Sequence, residues 1–227
     1  MEEAERITTG SAVFDDLLNG GYETDIVTTV FGPSASGKSN LAMLAAASHA
    51  DGKVVFVDTE SGLSVRRLQQ LSEDAETVLE NTMVLQPSSL DEQGAAFERL
   101  KNTLDESVNL VVVDSIAMLY RLEIAKHSDV KSTNQQLAEQ IANLIRIARD
   151  KTIPVLITNQ VYNDFDEDES VNLVGGDILK YGSKCLIELQ RDGDDRYATV
   201  RKHRSMREGK STVFQIVDEG LVRPSND

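Results

Sequence analysis

GPSASGKS, residues 32–39, is the stretch on which the fold turns. It fits Gly-x-x-x-x-Gly-Lys-Ser/Thr, a loop that cradles phosphates. Gly32 and Gly37 open backbone angles closed to other residues, so that successive N–H groups of the loop turn inward. The N-terminus of a following helix adds its own unpaired amides and a partial positive charge. Lys38 then reaches the β- and γ-phosphates of a nucleoside triphosphate, and the Ser39 hydroxyl holds Mg²⁺. Flanking sequence supplies the setting this chemistry needs. IVTTVF (26–31) is a β-branched run that reads as a strand entering the loop. NLAMLAAASHA (40–50) is rich in helix formers and leads out of it. The expected nucleotide-binding set is Gly32, Pro33, Ser34, Ala35, Ser36, Gly37, Lys38, Ser39 and Asn40, with ATP and Mg²⁺ as the ligands.

Working outward, strand-like runs recur at VVFVD (54–58), MVLQ (83–86), NLVVVD (109–114) and IPVLIT (153–158). Helical patterns fill the gaps at 40–50, 63–72, 89–106 and 132–150. In the last of these, Leu137, Ile141, Leu144, Ile145 and Ala148 share a face. Strands alternating with helices predict a mostly parallel central sheet covered by helices on both sides, an α/β class. After residue 180 the pattern changes. KCLIELQR, YATVRKHR and TVFQIV follow one another closely, and RDGDDR (191–196) reads as a hairpin turn, which predicts antiparallel strands at the C-terminal side. NDFDEDES (163–170) is too polar for an element and reads as a mobile loop, and RPSND as a frayed tail.

The chain has 227 residues and a formal net charge of −15. That length suits one large α/β domain over 1–227. No apolar run is long enough for a transmembrane helix, and no signal-peptide pattern opens the chain. The one cysteine, Cys185, lies in an apolar run and reads as buried and inert, in keeping with a reducing cytoplasm. The acidic balance has two explanations. The protein avoids nucleic acid, since phosphate contacts need Lys and Arg. Or its cytoplasm is rich in salt, which screens charge over about 3 Å at 1 M. The acids are spread along the whole chain, which favours salt.

Three further groups carry candidate chemistry. Asp114 ends a buried strand, where a carboxylate binds a water of the Mg²⁺ shell. Asp58 and Glu60 end another, in the crevice where open α/β sheets bind ligands. Hydrolysis needs a group to orient or deprotonate water, and Glu60 is the candidate. Gln160 ends a third strand, ITNQ, where an amide senses whether a γ-phosphate is present and signals to the loop that follows.

These parts together resemble the RecA/RadA-type recombinase ATPases. TTGSAVFDDLLNGGY (8–22) is similar to the family's opening segment, DTESGLSVRRL (58–68) to the segment after its second strand, and DSIAMLYR through ITNQV (114–161) to its centre without gaps. GGDILKYGSKCLIELQR (175–191) resembles the helix and strand after its second DNA loop. The resemblance covers nearly the entire chain. It implies that Glu60 activates water, that Arg67 stacks on adenine and that Gln160 senses the γ-phosphate.

The departures from that pattern are equally specific. The chain opens on the ATPase core, with no N-terminal DNA-binding domain expected. No Phe is followed by Ala three positions on, so the family's filament plug is missing. His127 stands where the first DNA loop needs an arginine. The second reads VYNDFDEDESVNLV, with five carboxylates and no Lys or Arg, which would repel a phosphate chain. A core shortened in this way resembles the archaeal RadB family, paralogues of RadA. That implies weak ATP hydrolysis, homologous recombination and DNA repair, a RadA-type recombinase as partner, and weak binding of single-stranded DNA. The expected function is therefore a mediator of recombination. An active strand-exchange recombinase, a KaiC-like regulatory ATPase and a structural adaptor remain as alternatives, and a homo-oligomer is compatible with all four. Lys202 and Arg204 alternate in KHRSMREGK. They are either a basic patch on a surface strand or, as in the wider superfamily, a pair that reaches a neighbouring subunit's ATP.

Overall fold

A computed structural model describes residues 4–49, 51–126, 129–161 and 174–224. In chain order these form β1 (Arg6–Ile7), α1 (Ala12–Leu17), β2 (Tyr22–Glu23), β3 (Val27–Gly32), α2 (Lys38–Ser48), β4 (Lys53–Asp58), α3 (Val65–Leu71), α4 (Ala75–Asn81), β5 (Thr82–Leu85) and α5 (Leu90–Thr103). There follow β6 (Val108–Asp114), α6 (Met118–Ala125), α7 (Val130–Lys151), β7 (Val155–Gln160), α8 (Gly176–Gly182), β8 (Cys185–Asp192), β9 (Asp195–His203), β10 (Ser211–Val217) and β11 (Gly220–Val222).

Nine strands make one sheet, in the order β11-β10-β9-β8-β3-β7-β6-β4-β5. Its centre is parallel because each crossover carries a helix. Val54–Val57 and Val111–Val113 are buried on both faces, which is why these strands read as unbroken apolar runs. This is the mostly parallel, helix-flanked RecA-like core with antiparallel C-terminal strands. The C-terminal strands β8, β9, β10 and β11 pair antiparallel in succession, as the sequence pattern predicts. β8 runs parallel to β3 and antiparallel to β9, so α8 serves as one more crossover before the hairpin at 191–196 turns the chain back.

Two apolar layers sandwich the sheet. On one face α2 packs against β3, β6, β7 and β11 of the sheet, and Leu41, Leu44, Phe14, Phe56 and Phe214 belong to one apolar cluster there. α2 is buried almost all round, as its Leu-Ala-Met-Leu-Ala sequence requires. On the other face α5, α7 and α8 bring Phe97, Leu137, Ile141 and Leu144 against Val111, Val113 and Ile157. The α7 face differs slightly from expectation: Ile147 is buried, and Ile145 only partly. α4 was not legible as a separate helix. It is one short segment capped by Asp74, whose carboxylate accepts from Thr77 N–H and Oγ. Cys185 is buried, and burial pushes its thiol up to about 12. The loop 163–170, His127 and the end of the tail lie outside the described residues.

Candidate nucleotide site

The C-terminal ends of β3, β4, β6 and β7 meet along one edge of the sheet. Gly32 pairs with Gln160, and Asp58 with Asp114, and the β6–β7 register offsets the two pairs by two residues, so four strands end close together along that edge. The loop after Gly32 bends with Ala35 at φ 61°, and Gly37 at φ 107° stands immediately before α2. Glycine is needed at Gly37 for that angle. At Gly32 the reason is different from the one expected. A Cβ there would come within 2.2 Å of the Leu189 carbonyl oxygen and 3.0 Å of Ser36 Oγ, so close packing decides it. Pro33 is half-buried, Ser34 and Ala35 are exposed, and Ser36 is buried. Ser36 Oγ has no hydrogen-bond partner among the described residues. An unpaired hydroxyl inside a glycine-shaped loop at a helix N-terminus fits a phosphate ligand.

Lys38 folds over this loop. Its Nζ donates to Gly32 O at 3.0 Å and Pro33 O at 2.7 Å. Burial lowers its pKa, while Asp114 and Glu60 favour the charged form. A buried ammonium held by two neutral carbonyls is short of anionic partners, and a triphosphate provides them. Asp114 is buried as well, and burial raises its pKa. Hydrogen bonds from Thr158 and Ser39 work against that, and the nearby Glu60 and Asp58 charges add to it. Ser39 hydroxyl and Asp114 carboxylate together are a hard oxygen pair suited to Mg²⁺. Among the described residues no group of three or more His, Cys, Asp or Glu could hold a metal alone. The ion would therefore share its shell with phosphates and water, as Mg²⁺ commonly does.

Glu60 reaches out from the turn after β4. Its Oε1 accepts Ser115 Oγ at 2.8 Å and Gln160 Nε2 at 3.2 Å. Asp58, grouped with it in sequence, is occupied otherwise. It accepts the backbone N–H groups of Glu60, Gly62 and Leu63 at 3.3, 2.9 and 3.1 Å, and so shapes the turn that carries Glu60. Three residues that the sequence did not single out support these side chains from outside the phosphate loop. Thr59 exchanges hydrogen bonds with Ser115 N and O, across the cis peptide Asp114–Ser115. Ser115 holds Glu60. Arg121 on α6 donates to Gln160 Oε1 at 2.8 Å. Only the position of Ser115, directly after the strand-ending aspartate, could have pointed to it.

Arg67 lies beside the first turn of α2. It donates to Asn40 Oδ1 at 2.8 Å, to Asp218 O at 2.9 Å and to Val217 O at 2.8 Å, tying α3 to the β10–β11 turn. Lys202 and Arg204 lie elsewhere. Lys202 Nζ donates to Lys180 O and Ser183 O at the end of α8. Arg204 pairs with Asp25 through two bonds of 2.6 and 3.0 Å, and with the buried Glu23 at 2.6 Å. Asp25 precedes β3, so Arg204 sits at the opposite end of that strand from the phosphate loop. Among the described helices none is long and apolar enough to cross a membrane.

Comparison with known proteins adds an independent line. The Rad51 family profile matches residues 2–224. A relative described as "DNA repair and recombination protein RadB" from Methanothermobacter thermautotrophicus is 40% identical, over 98% of this chain and 97% of its own. Its namesake from Methanobrevibacter smithii is 39% identical, again over 98% and 97%. Among solved structures, the "Crystal structure of the RadB recombinase" superposes with a TM-score of 0.82 at 34% identity, covering 96% of this chain and 99% of that one.

Proposed function

The chain belongs to the Rad51 family, in its archaeal RadB branch of repair and recombination proteins, and from that premise we propose that it is an ATP-binding, slowly hydrolysing switch that assists a RadA-type recombinase. One contrast carries this reading. The groups needed to hold and hydrolyse a nucleotide converge within one chain, at the ends of four strands. The candidate pair for a neighbour's nucleotide is engaged at home, Arg204 by Glu23 and Asp25, Lys202 by the end of α8. A filament-forming recombinase would need them presented to the next subunit.

In this mechanism the loop amides and Lys38 bind the phosphates, with the ammonium exchanging its two carbonyls for phosphate oxygens. Ser39 and, through water, Asp114 would hold Mg²⁺, which would supply charge neutralisation at the phosphates. Glu60 orients a water for attack and takes its proton. Ser115 fixes one carboxylate oxygen, leaving the other for that water. Gln160 lies close enough to Glu60 to exchange it for a γ-phosphate oxygen. Arg67 and Asn40 border the base. Single-stranded DNA binds weakly, and a salt-rich cytoplasm accounts for the acidic composition.

The test is steady-state ATP hydrolysis in molar KCl, wild type against Glu60→Gln, with and without single-stranded DNA. Slow turnover that ignores DNA and is lost in the variant supports the switch. Turnover strongly raised by DNA would overturn it in favour of a strand-exchange recombinase. Recruitment of RadA that is indifferent to Glu60→Gln and to nucleotide would favour a passive adaptor.

A further inference from the structure

The hydrogen bonds around Gln160 run in one sense. Arginine can only donate, so the Gln160 oxygen must face Arg121. An ionised carboxylate can only accept, so the Gln160 NH₂ must face Glu60. The two partners together select one of the two orientations that the amide could adopt. They also join two places. Glu60 belongs to the turn after β4, beside the phosphate loop. Arg121 belongs to α6, an eight-residue helix that leaves the β6 end through Ser115 and packs on α5 and α7. α6 is lightly anchored: of its side chains only Leu119 is fully buried, and Leu122 is 46% exposed. The segment leading into it is tied to the same strand ends, since Ile116 N, two residues before the helix, donates to Thr158 O at 3.1 Å.

We propose that Arg121 is a positioning residue that fixes the Gln160 amide and so makes α6 the element that reports whether a triphosphate is bound. A γ-phosphate beside Glu60 competes for the Gln160 NH₂. Rotation of the amide toward it moves the oxygen at the other end, and with it the arginine and its helix. Loss of the γ-phosphate returns the amide to Glu60. A helix with one fully buried side chain can follow a small shift at lower cost than the buried strands, within the limits set by its packing on α5 and α7 and the Tyr120 hydroxyl bond to Asn134. The inference rests on the nucleotide-site reading above and deepens it by naming a second output beside the loop after Gln160.

The experiment is hydrogen exchange of peptides spanning 118–126, with ADP and with a non-hydrolysable ATP analogue, for wild type, Arg121→Ala and Arg121→Lys. Nucleotide affinity is measured in parallel by fluorescence of a labelled ATP. In the wild type, exchange in α6 should differ between the two nucleotides by about fivefold or more, the low end of ordinary coupling. Arg121→Ala should lose most of that difference while binding the analogue with little change. Arg121→Lys, which keeps one donor, should retain part of it. A residue that merely supports the fold would shift exchange equally in both nucleotide states. Persistence of the full difference in Arg121→Ala, or a wild-type α6 indifferent to nucleotide while the phosphate loop responds, overturns the relay and leaves the switch standing. Failure of the wild type to bind the analogue overturns both.

Discussion

At the scale of single residues, the site depends on a few groups in costly surroundings. Lys38 is buried with only carbonyls to satisfy it. Lys38→Ala should remove the phosphate-binding charge and abolish ATP affinity in calorimetry, and unchanged binding would refute the site. Gly32→Ala places a methyl against the Leu189 carbonyl, a backbone atom that cannot swing aside. It should cost about 1–3 kcal/mol in urea denaturation, the usual range for overpacking. Glu23 is a buried carboxylate whose protonation bears on the fold. Burial alone would raise its pKa. Hydrogen bonds from Ser205 and Arg204, together with the charges around it, outweigh burial and lower it. A carboxylate with a lowered folded pKa adds stability that is present above its unfolded value and lost as pH falls through the folded one. The melting temperature of the wild type should therefore fall more steeply on acidification below the ordinary carboxylate range than that of Glu23→Gln. At neutral pH the variant should be the less stable by roughly 2–3 kcal/mol, short of full burial's penalty because Arg204 is 33% exposed.

At the scale of elements, the long helix α7 and the short helix α6 behave differently for physical reasons. α7 buries Leu137, Ile141, Leu144 and Ile147 on one side and is capped by Asp129. Leu144→Ala should destabilise by about 2–5 kcal/mol in denaturant titration, with the lost burial and the cavity both counting. α6 is held by less, with Leu119 its one fully buried side chain and the Tyr120 hydroxyl bonded to Asn134 of α7. α7 was readable because 22 residues give many repeats of the helical period. α4 was not readable, because seven residues give barely two, and its first turn is set by Asp74 rather than by an apolar face. That β8 also pairs parallel with β3 was not legible, since nothing in CLIELQ distinguishes a parallel from an antiparallel neighbour.

For the whole molecule, charge is the controlling quantity. With a net charge of −15, the folded state repels itself at low ionic strength. Among the described residues several ion pairs offset this locally, including Arg201–Glu188 and Arg223–Asp16, but exposed pairs contribute little. The melting temperature should rise from about 0.1 M to 1 M KCl as the Debye length shortens. A flat response would count against salt as the reason for the acidic surface.

Local pattern by itself was enough for the phosphate loop, the alternation of strand and helix, the strand-ending positions of Asp114 and Gln160, and Glu60 just beyond the end of β4. Each of these is a property of a short run: glycine spacing, β-branched stretches, helical period. The tertiary structure alone decided who meets whom. Arg204 finds Asp25, and Arg67 the Val217 carbonyl, across 179 and 150 positions of chain. Asp58 turned out to shape a turn, Gly32 to make room for a neighbouring strand, and Arg121 to hold Gln160. Such pairings follow from strand order and register, which arise from the packing of the complete sheet and leave no mark in the residues on either side.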